Sequence, residues 1–449
     1  MKKALVVLGL VLVFALGMAL AACGGDEATT TTAASTATTS APVTTATSGG
    51  TETTTAATTP AGTGKEKVTI GYVDSFTGVY APGPLIFGTI WMEALVAEYN
   101  AAGGLYVPEE GKKLPIELIE YDSASDAETL IRLTEKAMSA DKVDLMFAPW
   151  GTSQNFAVLA LYEKYEYPLI AHSMGSGQVV ELIQSGATKW CFPMLAQPPF
   201  VAKYVADFIQ KNGAGSKIGI IGVNDLHGIE FTGRVQSELA SRGMDIAVGP
   251  ELYPLDVTDL SPVIKKLKEA GVDTLWASTY PADGTLLVKQ MMELGYSPKI
   301  MFMGPGSQYP LVMIPAFGTA AVTGIMEYHG FEVDFTSSAK LQALADVYKA
   351  AAGGWPGSNT IAAYVGYEVL FKAVEQVGLT DRVKLRDTLK TGTFETVLGP
   401  AKWDWENCSL DVPGAGFIAQ WQGGEMLKVV WPEDRATAPW IPKPAWPAK

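Results

Sequence analysis

The chain has 449 residues, 48% hydrophobic and 18% charged, with a formal net charge of −14. That length suits two or three domains with cores of ordinary size. The acidic balance excludes a nucleic-acid partner, because a phosphate-binding face needs clustered Lys and Arg. Three cysteines exclude a disulfide framework, and His172, His227 and His329 lack metal-ligand spacing, so neither a metal nor a cofactor is expected.

The chain opens on Lys2 and Lys3, followed by an uncharged, mostly apolar run from Ala4 to Ala22 that closes on Leu20-Ala21-Ala22-Cys23. This resembles a bacterial lipoprotein signal, which implies cleavage after residue 22 and lipid attachment to Cys23. The other reading is an uncleaved membrane anchor, since the run is about long enough to span a bilayer. Both put the protein outside the cytoplasm, anchored to the outer face of the cell membrane. Residues 26–64 hold 17 threonines in 39 positions, and Val43 is the only branched aliphatic among them. Such a segment has nothing to bury, and 23–64 is expected to be a disordered spacer.

From Lys67 strands and helices alternate. Val68–Asp74 reads as a buried strand, followed by a helix from about Leu85 to Asn100 and an alternating strand over Ile116–Tyr121. Ser125 with Glu128 spells a capping box for a helix to about Ala140. Leu145–Phe147 is a short strand, Ser153–Tyr165 a helix, and Pro168–Ala171 a further strand. The series then recurs. Lys217–Asp225 repeats the first strand and its loop, and Val272–Tyr280 echoes Val143–Trp150. Ser261-Pro262 pairs a capping serine with a proline at the first helical position. Helices follow at about 338–352, 360–377 and 381–391, then two strands, Phe417–Trp421 and Met426–Trp431. The Pro- and Trp-rich end, 432–449, reads as an extended strap. Two open α/β lobes with parallel sheets are therefore expected, facing each other across a cleft lined by strand C-termini and helix N-termini.

No G-x-S-x-G, phosphate loop or H-E-x-x-H is present. Asp74 and Asp283 read as ligand contacts or helix caps rather than an acid/base pair, and His172 and His227 as cleft-lining groups without a nucleophile or metal beside them. An enzyme is not expected. Trp150-Gly151-Thr152-Ser153 opens a helix with free N–H groups suited to a ligand carboxylate, and His172-Ser173-Met174-Gly175 adds a hydroxyl and backbone. Tyr80, Trp150 and Tyr280 offer aromatic walls. Simple N-capping by Thr152 and Ser153, and plain core packing of the aromatics, are the competing readings.

Gly71-Tyr72-Val73-Asp74-Ser75-Phe76-Thr77-Gly78, Ile119–Asp122, Tyr167–Ile170, Met291–Tyr296, Phe302–Pro305 and Gly399–Asp404 occur in order. With them, Lys65 to about Trp431 resembles the type I periplasmic binding proteins of the leucine/isoleucine/valine class, extracytoplasmic receptors of ABC importers. The resemblance implies two Rossmann-like lobes, 65–190 with 328–400 and 191–327 with 401–431, joined by crossings near 188–194, 322–330 and 398–405. It implies a monomer that closes on a small-molecule ligand and hands it to ABC permease subunits with a cytoplasmic ATPase; a sensor of the same fold is the alternative. It places the ligand carboxylate on Thr152, Ser153 and Ser173, an aromatic at Tyr280, and His227 where relatives carry tyrosine. A glutamate for the ligand ammonium should follow Gly304-Pro305, where this chain has Gly306, so an aromatic or aliphatic acid or an amide competes with a branched-chain amino acid as ligand. Cys191 and Cys408 fall near the first and third crossings, where a disulfide or two separate thiols are both open.

Overall fold

The computed structural model describes residues 64–447 except Val79; the signal and spacer expectations, including Cys23, lie outside the described residues. Val68–Asp74 is the middle strand of a parallel three-stranded sheet, between Ile116–Asp122 and Leu145–Phe147. Leu169–Ala171 pairs in parallel with Cys191–Pro193 beside it. The second sheet has seven strands, in the order Leu427–Trp431, Ile418–Trp421, Ile325–Glu327, Ile300–Pro305, Thr274–Thr279, Ile218–Val223, Ile246–Tyr253. Its centre is parallel and fully buried, as continuous runs such as Ile218–Val223 require when helices cover both faces. The two sheets are the centres of two lobes.

Local chemistry sets the helix starts. Asp126, not Ser125, caps Ala127–Ser139, its side chain accepting from Thr129 N–H at 2.8 Å. Ser125 instead ties the preceding loops, donating to Thr77 O and accepting from Tyr80 N–H. Ser261 lies inside the first turn of Ser261–Glu269, its N–H held by Asp259 at 2.9 Å. The helix expected from Leu85 is split: Pro82–Pro84, a wide turn over Leu85–Thr89, and then Ile90–Ala101.

The chain passes to the second lobe after Leu195 and returns after Tyr328, since Met194, Leu195, Phe331, Val333 and Phe335 share the first-lobe core with Val68 and Ile70, whereas Ala196 and Tyr328 pack in the second. The final passage differs from expectation. Ala401, Trp403, Leu410 and Val412 stay in the first-lobe core, and the chain leaves it over 412–417 instead of 398–405. Trp403 Nε1–H donates to Pro193 O at 2.9 Å and Leu410 N–H to Met194 O at 3.2 Å, which locks this hairpin against the first crossing. The end of the described chain is extended, with Trp440 and Trp446 packed on the second lobe. Ile441 N–H donates to Gln420 Oε1 at 2.8 Å and Trp446 Nε1–H to Tyr296 O at 2.6 Å. Among the described residues no helix is long and apolar enough to cross a membrane.

Candidate functional site

Between the lobes lies a cavity offering about 40 Å³ to the centre of a water-sized sphere. That is room for a few waters or a small ligand group in a closed site. The first lobe contributes Trp150, Gly151, Thr152 and Ser173, and the second His227 and Tyr280. Six sequence-predicted residues thus meet around one space.

Gly151 leaves the helix Thr152–Tyr165 without a side-chain cap, so its first-turn N–H groups are free for an anion. Gly151 N–H donates to Ser173 Oγ at 2.9 Å, joining the two first-lobe loops. Trp150 is aimed from behind: its N–H donates to Asp74 Oδ2 at 2.9 Å. Asp74 also accepts from Tyr72 Oη and from Ser75 N–H, and burial pushes its carboxyl up to about 7. Asp74 therefore orients the loop from below the cavity.

Across the cleft, Tyr280 is held at both ends. Its N–H donates to Asp283 Oδ1 at 2.9 Å and its hydroxyl to Asp225 Oδ2 at 2.7 Å. Its ring stands 6.4 Å from that of Trp150, centroid to centroid. Asp283 is consumed by this cap and by Tyr253 Oη at 2.7 Å; burial pushes it to about 6. It supports Tyr280 and does not line the cavity.

The remaining predicted residues lie off the cavity wall. Ser153 is exposed on the first helical turn. His172 sits one layer back, against Phe87 at 5.8 Å and Tyr367 at 6.1 Å, and burial pulls its imidazole down to about 3. Met174 is core, and its carbonyl accepts from Gln197 Nε2 at 3.2 Å. Tyr80 is half-buried in the loop tied by Ser125. Gly306 packs beneath the wall; a Cβ there would lie 2.3 Å from Thr279 Oγ1 and 2.6 Å from Tyr280 O, so no glutamate fits at this position without rearrangement. Cys191 and Cys408 are buried free thiols, which corrects the disulfide alternative. Burial pushes Cys191 well up and Cys408 to about 11.

Sequence reasoning missed half of the wall. Phe87, Phe231, Gln308, Tyr309, His329 and Asn359 also line the cavity. His227 Nε2, Gln308 Oε1, Tyr309 Oη and both amide atoms of Asn359 are buried without a hydrogen-bond partner. Buried polar groups are ordinarily satisfied, so this convergence marks a site for a polar occupant. Among the described residues no Lys, Arg, Asp or Glu lines the cavity. Among the described residues no group of His, Cys, Asp and Glu is arranged to hold a metal ion.

The sequence matches the family described as periplasmic binding protein over residues 67–425. A curated relative, the Leu/Ile/Val-binding protein homolog 8 of Brucella abortus, is 24% identical over 364 residues, covering 77% of this chain and 86% of its own. The fold is similar to the branched-chain amino acid substrate-binding protein LivJ from Streptococcus pneumoniae in complex with isoleucine (TM-score 0.66, 18% identity, 84% of this chain and 100% of that one). It is equally similar to a solute-binding protein from Rhodopseudomonas palustris in complex with 3,4-dihydroxybenzoic acid (TM-score 0.64, 18% identity, 79% and 93%). The match over most of the chain, on two α/β lobes around an interlobe cavity, makes this chain a member of the periplasmic binding protein family, with the type I fold and the role of a binding protein rather than an enzyme.

Proposed function

We propose that this protein is the receptor of an ABC importer that captures a small organic acid or amide in the interlobe cavity and delivers it to a membrane permease. The observation that carries this reading is the meeting of an uncapped helix N-terminus, Gly151-Thr152, with unpartnered buried polar atoms of His227, Gln308, Tyr309 and Asn359 around one cavity. The helix terminus suits a carboxylate, Trp150 and Tyr280 flank the ligand body, and the far wall hydrogen-bonds its other end. Acids and branched-chain amino acids bound to similar folds support the size class of the ligand.

Residues 65–190 with 328–400 and 191–327 with 401–431 are the sequence-based lobe assignment, to which the packing of 401–415 adds a longer stay in the first lobe. Capture is by closure of a monomer, and Cys23 carries the lipid that holds it at the outer membrane face. A thermal-shift screen of the purified protein with small carboxylates, amides and amino acids tests the ligand reading. A ligand that raises the melting temperature in the wild type should lose the effect in Trp150→Ala. Metabolic labelling with a radioactive fatty acid tests the anchor; a label retained in Cys23→Ser would refute it.

A further inference from the structure

Asn359 lines the cavity and is fully buried, and neither its Nδ2 nor its Oδ1 has a hydrogen-bond partner among the described residues. The backbone around it is fixed without help from that amide. Val333 N–H donates to Ser358 O at 3.1 Å, Ala362 N–H to Asn359 O at 3.2 Å, and Thr360 Oγ1 to Gly357 O at 2.9 Å. Nor does the amide cap a helix, because Ala362–Val377 starts from Ile361 with no side-chain bond. The chain thus buries a carboxamide that its own fold does not engage, which costs stability unless an occupant of the cavity bonds to it.

A second amide adjoins the first. Gln308, on the loop between Ile300–Pro305 and Pro310–Val322, is buried on the same cavity with its Oε1 unpartnered. Its loop rests on that of Asn359, since a Cβ at Gly357 would lie 2.3 Å from Gln308 O. The oxygen and nitrogen of an amide are told apart only by their partners. Asn359 has none on either side, so exchanging the two atoms leaves the same pattern, an N–H donor beside a carbonyl acceptor. A carboxylate brings acceptors alone and leaves the carbonyl of Asn359 without a donor. An ammonium can serve that carbonyl and Gln308 Oε1 but leaves the N–H group without an acceptor. A carboxamide carries both functions side by side and pairs with Asn359 through two parallel hydrogen bonds.

We infer that Asn359 is a specificity-determining ligand contact, supported by Gln308, and that the ligand end it meets is a carboxamide or a similar neutral group with a donor beside an acceptor. This deepens the reading of the cavity as the ligand site and rests on it. With its carboxylate at the Gly151-Thr152 helix terminus, such a ligand is an acid whose far end is an amide.

Titration calorimetry on the wild-type protein with succinamate, succinate, 4-aminobutanoate and 4-hydroxybutanoate tests this, because these four-carbon acids end in a carboxamide, a carboxylate, an ammonium and a hydroxyl. Succinamate is expected to bind at least about 10-fold more tightly than each of the others. Asn359→Leu, similar in size but apolar, should erase that preference without lowering the melting temperature of the ligand-free protein, because the amide has no protein partner to lose. A counterpart that binds as tightly as succinamate, a preference that survives in Asn359→Leu, or a ligand-free variant that melts far below wild type overturns the inference and leaves the site intact. Absence of succinamate binding also overturns the inference alone, since the thermal-shift screen judges the reading separately. If succinamate binds and Trp150→Ala leaves its affinity unchanged, the cavity is not the ligand site, and the reading beneath the inference falls with it.

Discussion

The carboxylate of Glu230, on the second lobe, accepts a hydrogen bond of 2.8 Å from the hydroxyl of Ser176, on the first. The same side chain accepts from Gly177 N–H and, at 3.0 Å, from Gln178 Nε2. It therefore sits on the N-terminus of the helix Gly177–Gln184, where free N–H groups and the helix dipole favour a negative charge. A second contact, Arg234 to Glu181 at 3.8 Å, joins the same two helices but is exposed and adds little.

Removing this clasp should open the protein. Charge-assisted bonds of this kind contribute about 2 kcal/mol together, so Glu230→Ala is expected to shift the closed-to-open ratio by about 30-fold. Pulsed electron-electron resonance between one spin label on each lobe reads the shift as a longer distance population. An unchanged distribution would show that the contact follows closure without stabilising it.

The aromatic pair across the cleft separates binding from folding. Trp150 is half-buried and Tyr280 is anchored through both its N–H and its hydroxyl. Trp150→Ala should abolish ligand-dependent stabilisation while leaving the melting temperature of the empty protein within a few degrees of wild type. Tyr280→Phe keeps the ring but strands Asp225, with an expected cost of about 1 kcal/mol in denaturant unfolding. A larger loss in Trp150→Ala than in Tyr280→Phe, without ligand, would contradict this division.

The buried imidazoles give a pH signature. His172 is held at about 3 against an unfolded value near 6.5, so the folded chain refuses a proton that the unfolded chain accepts. Its contribution is fully present above about pH 6.5 and is lost as pH falls toward 3, at up to about 1.4 kcal/mol per pH unit. His227 and His329 act in the same direction. Asp74, at about 7, and Glu332, at about 8, act oppositely, contributing stability at low pH that is lost as pH rises through those values. The sets offset each other, so variants are more informative than the wild-type curve. His172→Phe should flatten the acid-side slope between pH 6 and 4 by about one proton, measured by urea unfolding at each pH. An unaltered slope would mean that His172 is protonated in the folded state.

Both described cysteines should be inert. Burial raises the two thiols, and the thiolate is the reactive form. Alkylation of native protein with iodoacetamide is expected to leave Cys191 and Cys408 unmodified, and denaturation should expose two thiols by mass. A mass two hydrogens lower after unfolding would instead reveal a disulfide.

Much of the fold was legible because each lobe repeats the same pattern of buried strand, small-residue loop and amphipathic helix. The first-lobe side of the cavity was legible for the same reason: Trp150-Gly151-Thr152 follows its strand directly. His329, Gln308, Tyr309 and Asn359 were not, since they come from a passage between lobes, from the loop between Ile300–Pro305 and Pro310–Val322, and from the turn before Ala362–Val377, where no periodicity marks a facing direction. One signal was available. Gly357-Ser358-Asn359-Thr360 is a polar run abutting a highly apolar helix, and polar residues in such a place are buried for a reason. The final passage was misplaced because Trp403 and Leu410 bond to residues some 210 positions earlier, a relation that no local pattern carries.

The crowding at Gly304 and Gly306 restricts how this receptor can evolve. A Cβ at Gly304 would fall 1.9 Å from Glu327 Oε1, and one at Gly306 would meet Thr279 and Tyr280 O. The buried Glu327 behind the second-lobe wall and the bare glycines beside it are thus mutually contingent. A single Gly306→Glu substitution cannot restore an ammonium partner, because Thr279 has to shrink and the loop at Tyr280 to move. Ligand preference here is an epistatic trait, reached or abandoned only through coordinated changes in at least two strands.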